Sequence, residues 1–479
     1  MKRFVLGAMV AFPMFGHAQH WRGLGVGPKL AAVTRIMADT LEDRLLACGN
    51  FNFYINAADT VRCAGIAQWR GTRWDSLAHR IQDTESNTVA QAYWPLRYEG
   101  DLYLCGAMYM EDPQFGIHQG YFRLNEQSHR WEAFGCQNPT ASSILFATPR
   151  ETANQPYLYI TGLEWPLCDL PQSAVYRWNG ASMTLWMPWS QIPNTSENVV
   201  NYVFEYRGKV YVCGSFNNPL GPGMRTFLRH NGTSWEEVPG YTGGLVADVS
   251  IHRDTLYVAG QFQVPGGNGG HGVAAFDGEL WYPLGEGLLF QPSPSLSSGH
   301  CLRWFRDELY VGGGFSMAGG IPANGFAKWN RRQWCSLPGF DSESFASGVR
   351  VVRSMAVWRD SLFIQGTFST LEGETIRSVA QWIGGATVTD CSSPVGIAER
   401  ERNENLAAFP NPTSGELCLV DLPNTASWIE MRDALGRSVL NERSLTPTHD
   451  VSAFPNGLYI LTVHDKNGNL VGRTKFIKQ

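Results

Sequence analysis

Residues able to do chemistry are plentiful in this chain but poorly arranged for it. Eleven histidines are dispersed, with no HExxH run and no His-x-His pair, so a metal site is not expected. No G-x-S-x-G elbow offers a serine nucleophile, and no cofactor is expected. Two acidic pairs, Glu111-Asp112 and Glu236-Glu237, could act as general acid and base if loops brought them together, although most such pairs are solvated turns. The triple glycine at 312–314 invites comparison with a phosphate-cradling loop, yet no helical stretch follows it and no GK[ST] is present. Four ring-bearing residues remain as ligand-binding candidates: Tyr54, Tyr109, Trp165 and His271. Their flat faces could stack on sugars or apolar side chains, and packing within their own loops is the competing account of each.

What must position these residues is a repeat. The stretch LYVGGGF at 309–315 returns as LLACGNF (45–51), LYLCGAM (102–108), LYITGL (158–163), VYVCGSF (210–216), LYVAGQF (256–262) and LFIQGTF (362–368). The marker glycines are Gly49, Gly106, Gly162, Gly214, Gly260, Gly313 and Gly366, 46 to 57 residues apart, which is the period of a repeat architecture. An apolar segment precedes each copy. A variable loop, an aromatic segment such as VAQWIG at 379–384 and often a Trp-containing segment follow. Side chains alternate along a strand, so Leu309, Val311 and Phe315 share one face and Tyr310 takes the other. Four antiparallel strands with both faces apolar or small fit a blade stacked between two others.

The expected fold is all-β, a seven-bladed β-propeller over residues 19–390. The last repeat lacks its fourth strand, while HWRGLG at 20–25 resembles the fourth-strand segment LWYPLG at 280–285. An N-terminal strand is therefore predicted to complete the seventh blade beside 379–382 and remove two open sheet edges. The loops joining second to third strands, which carry the four ring-bearing candidates, differ most in length and chemistry. The repeats are similar to the LYVGG-type repeats of kelch-like and galactose-oxidase-like propellers. That resemblance bears on fold rather than activity, and the S-x-D-x-G-x-x-W boxes of sialidase-type propellers are missing.

The 479 residues carry a net charge of -5 with no basic cluster interleaved with aromatics, so nucleic acid is excluded as a partner. Lys2 and Arg3, the apolar run 4–15 and Gly16-His17-Ala18 read as a signal peptide over residues 1–18. No later stretch approaches ~20 apolar residues, so no transmembrane segment is expected after its removal. Of ten cysteines, Cys48, Cys105 and Cys213 share the slot before the marker glycine, as small core residues would. Cys48 with Cys63 is the best local disulfide pair, and Cys335 with Cys391 a second. Asp followed by Ser or Thr and then Leu recurs at Asp39, Asp75, Asp254 and Asp360. This resembles the O-glycosylation acceptor pattern of Bacteroidetes-type exported proteins, and entry from a turn into a strand explains it without modification.

Beyond residue 390 the repeat stops. Residues 391–405, which include ERERNE, are a linker by composition, and 406–479 alternate apolar strands with turns as a small Ig-like β-sandwich would. FPNPTSGEL (409–417), ALGR (434–437), FPNGLYILTV (454–463) and KFIKQ (475–479) resemble the type A C-terminal sorting domain of the type IX secretion (Por) system of Bacteroidetes-type bacteria. The residues carrying the match are Pro410, Asn411, Pro412, Gly415, Gly436, Gly457, Tyr459 and Lys475. The resemblance implies passage to the periplasm on a Sec signal and across the outer membrane on the sorting domain. It also implies a cut in the linker by a sortase-like protease, with the cargo released or attached to anionic lipopolysaccharide. The expected function is a noncatalytic exported module binding a glycan or protein. A secreted carbohydrate-active enzyme with acidic residues near the propeller axis, or a structural and adhesive surface component, are the alternatives.

Overall fold

The structure is a computed structural model that describes residues 20–28, 32–56, 58–78, 91–112, 116–135, 145–146, 156–161, 170, 175–186, 199–262, 271–291, 293–341, 350–385, 387–388, 390–392, 406–420, 422, 425–433, 437–443, 445–446, 448–466 and 470–479. The chain separates into two compact units, Met1–Pro394 and Val395–Gln479. The signal-peptide region and most of the linker lie outside the described residues.

In the first unit the described residues form successive antiparallel meanders, two of them joined in one eight-stranded sheet and one extended to five strands; they are labelled here blades 1 to 7 in chain order. Blade 6 shows the plan: Ser298–Phe305, Glu308–Gly314, Phe326–Trp329 and Trp334–Ser336. Leu309, Val311 and Phe315 enter one core cluster and Tyr310 the next, as the alternation requires. The first strands are Ala32–Asp39, Gln91–Tyr98, Leu145–Phe146, Val199–Tyr206, Gly244–His252, Ser298–Phe305 and Val352–Trp358. Each blade packs on the next through its first strand, and Val352–Trp358 returns to Ala32–Asp39. The ring is closed, and the molecule is a β-propeller.

Closure comes from the N-terminal strand. Trp21–Gly23 pairs with Val379–Trp382 in the register Trp21 to Trp382, Arg22 to Gln381 and Gly23 to Ala380. Trp21 is wholly buried, edge-on to Phe326, Phe340 and Trp382, and its indole N–H donates to the Pro338 carbonyl at 2.8 Å. The same bond recurs between blades. Trp74 donates to Leu24, Trp334 to Leu284 and Trp281 to Pro239, each on the preceding blade. The W-x-x-L spacing is thus a latch, with Trp donating a hydrogen bond backward and the end of the segment accepting one from ahead. HWRGL serves both partners of the seventh blade.

A second latch runs through the hairpin turns. Arg207, Arg253, Arg306 and Arg359 stand at φ near 48°, the left-handed region that two-residue hairpins use. Each reaches a turn aspartate of the following blade: Arg207 to Asp254 at 2.6 Å, Arg253 to Asp307 at 3.0 Å, Arg306 to Asp360 at 2.9 Å and Arg359 to Asp43 at 2.7 Å. Between blades 1 and 2 the pairing is buried instead. Asp39 accepts from Arg44 and Arg97, and both arginines also reach Glu126. Three of the Asp-Ser/Thr-Leu aspartates (Asp39, Asp254 and Asp360) are therefore occupied as structural latches.

The cysteines divide differently from the local expectation. Cys48 and Cys63 are buried and not bonded to each other: the Cys48 thiol faces the Tyr93 carbonyl and the Cys63 thiol the Val61 carbonyl. Cys335 and Cys391 form a disulfide. It fastens Asp390–Cys391 as a fifth strand on blade 6, so the chain leaving blade 7 is stapled to the blade before it.

The second unit is a β-sandwich. One sheet contains Ala407–Phe409, Glu416–Val420 and Thr448–Asp450, and the other Ser438–Glu442, Trp428–Asp433, Gly457–His464 and Leu470–Lys478. Leu417, Leu419, Ile429, Met431, Leu461, Val463 and Phe476 fill the space between them.

Candidate functional site

The marker glycine of the repeat has a steric purpose that leads to the propeller axis. In blade 6 the ladder steps from Gly299 opposite Gly313 to Cys301 opposite Gly312, leaving His300 as an extra residue in a β-bulge. The same step leaves Thr34, Tyr93, Asn201, Ala247 and Arg353 in blades 1, 2, 4, 5 and 7. A Cβ on Gly313 would run into the Ser298 carbonyl oxygen, and the equivalent carbonyl meets Gly49, Gly106, Gly214, Gly260 and Gly366. Only glycine lets the first strand approach closely enough to bulge there. In each of these six blades one bulge re-aims one side chain.

These residues and their successors line the axial cavities. Thr34, Arg35, Tyr93, Trp94, Asn201, Tyr202 and Ala247 surround a cavity of about 370 Å3. Arg35 and Trp94 also border a narrow space of about 20 Å3 with Asp248, His300, Arg303 and Arg353. A further cavity of about 470 Å3, bordered by Arg97, Arg303 and the turn residues Thr40, Leu41 and Gly100, lies toward the hairpin turns.

The guanidinium of Arg35 lies over the Trp94 ring, 3.3 Å from its centroid, a favourable stacking of cation on aromatic face. Trp94 in turn stands edge-on to Tyr202. Asp248 accepts the Leu302 amide at 2.8 Å and the Val249 amide at 3.0 Å, with the Tyr202 hydroxyl 3.5 Å away. It binds blade 5 to blade 6 in the slot where the Ser354 hydroxyl of blade 7 accepts the Ile36 amide of blade 1. His300 sits 2.9 Å from the Ser298 hydroxyl. Burial first and the neighbouring Arg353 second lower its affinity for a proton.

The residues singled out from the sequence are scattered by comparison. Tyr54 is fully buried in a small sheet of Gly27–Pro28, Phe53–Ile55 and Thr60–Arg62, its ring against Phe51 and Trp74. It packs its own loop and cannot present a face to a ligand. Tyr109 lies half-buried on the second strand of blade 2, and His271 half-buried beside Gly287. His271 borders a separate cavity of about 380 Å3 with Gln261 and Ser295. Trp165 falls outside the described residues. Glu236 and Glu237 are on the fourth strand of blade 4, paired to Lys209, Arg229 and Arg225, and Glu111 and Asp112 end a second strand. Neither Glu236 nor Glu237 is among the described residues that line the axial cavities. Among the described residues no group of three or more His, Cys, Asp and Glu is placed to hold a metal ion.

In the second unit the motif residues are structural. The Asn411 side chain accepts the Ile477 amide at 2.9 Å and donates to the Lys475 carbonyl at 3.0 Å, tying the PNP turn to the last strand. Phe409-Pro410 and Asn411-Pro412 are cis. The Gly415 carbonyl accepts the Val451 amide, and Tyr459 stacks on Phe476 while its hydroxyl donates to Pro455. Gly457 begins a strand with open space at its α-carbon. Lys475 is exposed, and Gly436 is outside the described residues.

Fold and site together define an all-β protein of two parts, a β-propeller with an axial cavity and a small β-sandwich. Residues 407–479 match the Por_Secre_tail family, the secretion system C-terminal sorting domain. That domain marks the chain for handling by the type IX secretion machinery and for export through the periplasm to the cell surface or release. No helix among the described residues is long and apolar enough to cross a membrane. No curated protein matches the chain. Among solved structures it is similar to PorZ of Porphyromonas gingivalis, a bacterial surface component of the type IX secretion system, at 10% identity over 94% of this chain and 70% of that one, TM-score 0.33. It is also similar to the extracellular domain of the hybrid two component system BT3049 of B. thetaiotaomicron, at 12% identity over 95% and 54%, TM-score 0.45. The propeller domain of the Trilobed protease of Pyrococcus furiosus matches at 10% identity over 63% and 96%, TM-score 0.30.

Proposed function

We propose that the propeller is a noncatalytic binding module which, once exported, holds a glycan or a protein through its axial face. The supporting observation is the cavity of about 370 Å3 walled by Arg35, Trp94, Tyr93, Asn201 and Tyr202, within the range of about 300–1,000 Å3 that small-molecule sites occupy. Acid and base catalysis by paired carboxylates has less support. The one carboxylate bordering the narrow axial space, Asp248, is engaged by backbone amides. Residues 1–18 act as the signal peptide, 19–390 as the binding module and 391–405 as the linker where a sortase-like protease frees it from 406–479. Tyr109, on a second strand, and His271, beside Gly287, serve as further ligand contacts, together with Trp165.

The test is retention of the purified full chain on a glycan array and in protein pull-downs. Retention that Tyr93→Ala abolishes is the expected result, and no retention on either support removes the reading. Export is tested separately. Deleting residues 406–479 is expected to leave a folded propeller in the periplasm, and normal surface display of that truncation would count against a sorting role.

A further inference from the structure

The axial cavity is unevenly charged. Arg35, Arg303 and Arg353 border the narrow space beside it, facing the single carboxylate of Asp248. That carboxylate is already engaged by the amides of Leu302 and Val249. Among the described residues, neither Arg35 nor Arg353 forms an ion pair. The face of Arg35 is covered by Trp94, which leaves the in-plane edge of its guanidinium, the edge that pairs with a planar oxyanion. Arg353 is exposed and stands on a bulge, so its charge is offered at the axis rather than buried. A concave site with uncompensated cations and low-dielectric walls concentrates anions.

The aromatic walls narrow the choice further. Trp94, Tyr93 and Tyr202 border the larger cavity beside Arg35, with Asn201 among them. Such a wall suits the apolar face of a pyranose ring, with an amide to meet its hydroxyls. A volume of about 370 Å3 admits one or two sugar rings and excludes a folded partner.

We propose that the axial cavity is a carboxylate site and that its ligand is an acidic saccharide, stacked on the half-buried Tyr93 with its carboxylate between Arg35 and Arg353. This rests on the reading of the propeller as a binding module, and it names the ligand class.

The experiment probes the full chain on an array of uronate-bearing oligosaccharides, each printed beside its carboxyl-reduced counterpart, with oligoglutamate peptides on the same slide. Retention is expected on the acids and at least tenfold weaker on their reduced partners. Arg35→Ala and Arg353→Ala are each expected to weaken it tenfold or more, and Arg353→Lys by less than Arg353→Ala. Circular dichroism confirms that the variants fold. Equal retention of acid and reduced forms overturns the carboxylate site while leaving the binding module standing. Preference for oligoglutamate overturns the saccharide, and no retention on any spot overturns the carboxylate site, the binding module itself falling only if the general glycan array and the pull-downs are empty too.

Discussion

The perimeter of the propeller and its axis follow opposite rules. Around the perimeter the same residue types recur from blade to blade: an indole donating backward to the previous blade and an arginine reaching forward to the next turn aspartate. At the axis the backbone recurs and the side chains do not. The bulge slot holds Thr34, Tyr93, Asn201, Ala247, His300 and Arg353 in turn. Repetition is needed where each blade must hold an identical neighbour, and it is dispensable where one ligand sees all blades at once. Stability and recognition are therefore assigned to separate positions of one repeat.

The largest way to break that division is at the perimeter, through the strand that closes the ring. Trp21 is fully buried, donates to blade 6 and is followed by Leu24, which accepts from blade 1. Trp21→Ala is expected to destabilise the propeller by about 3–5 kcal/mol, the usual cost of emptying a buried indole site. A urea midpoint within error of the parent would show that the N-terminal strand does not latch the ring.

A smaller change sharpens the comparison at the point where perimeter and axis meet. Gly313 lies opposite the bulge that carries His300, against the Ser298 carbonyl. Gly313→Ala is expected to cost about 1–3 kcal/mol as an overpacking change and to shift the histidine resonance of His300, since the first strand must move away. If stability falls and that resonance stays in place, the glycine serves packing alone and the bulge is set by something else.

How much of this was legible depended on whether the information was periodic. The repeat, the second-strand alternation of Leu309 and Tyr310 and the orphaned fourth-strand segment at Trp21 could all be read, because each is a copy of something elsewhere in the chain. The sorting-domain resemblance was legible for the same reason, as a run of fixed motifs. The axial residues were not, since a slot filled by Thr, Tyr, Asn, Ala, His and Arg has no side-chain signature. Its signature is distance: Tyr93, Asn201, Ala247, His300 and Arg353 each stand thirteen positions before a marker glycine. Thr34 departs from that spacing because its hairpin turn is longer. Tyr54 misled in the opposite sense, as an aromatic in a variable loop whose loop folds into a small sheet around it. The Cys48 and Cys63 pairing failed because sequence proximity says nothing of which way two thiols face.

The smallest expected effect concerns a carboxylate that the sequence offered for catalysis and the fold uses at the perimeter. Hydrogen bonding from Lys209, more than any other contact, pulls Glu236 down from the ordinary 4.5 to about 2, with Asn231 and Arg229 assisting. A group held that low is ionised throughout the neutral range and has no proton to give, which removes it as a general acid. The sign of its linkage follows. Because the folded value lies below the unfolded one, its stabilisation is complete above about 4.5 and is lost as the pH falls toward about 2. Glu236→Gln is therefore expected to lower stability by about 1 kcal/mol or less at pH 7, as for a partly exposed pair, and by nothing at the acid end. Urea midpoints of parent and variant that stayed equally far apart across the acid range would mean the side chain matters for its shape and not for its charge. Axial retention on glycan should be the same in both proteins, because blade 4 offers the axis Asn201 and Tyr202 and keeps Glu236 at its rim.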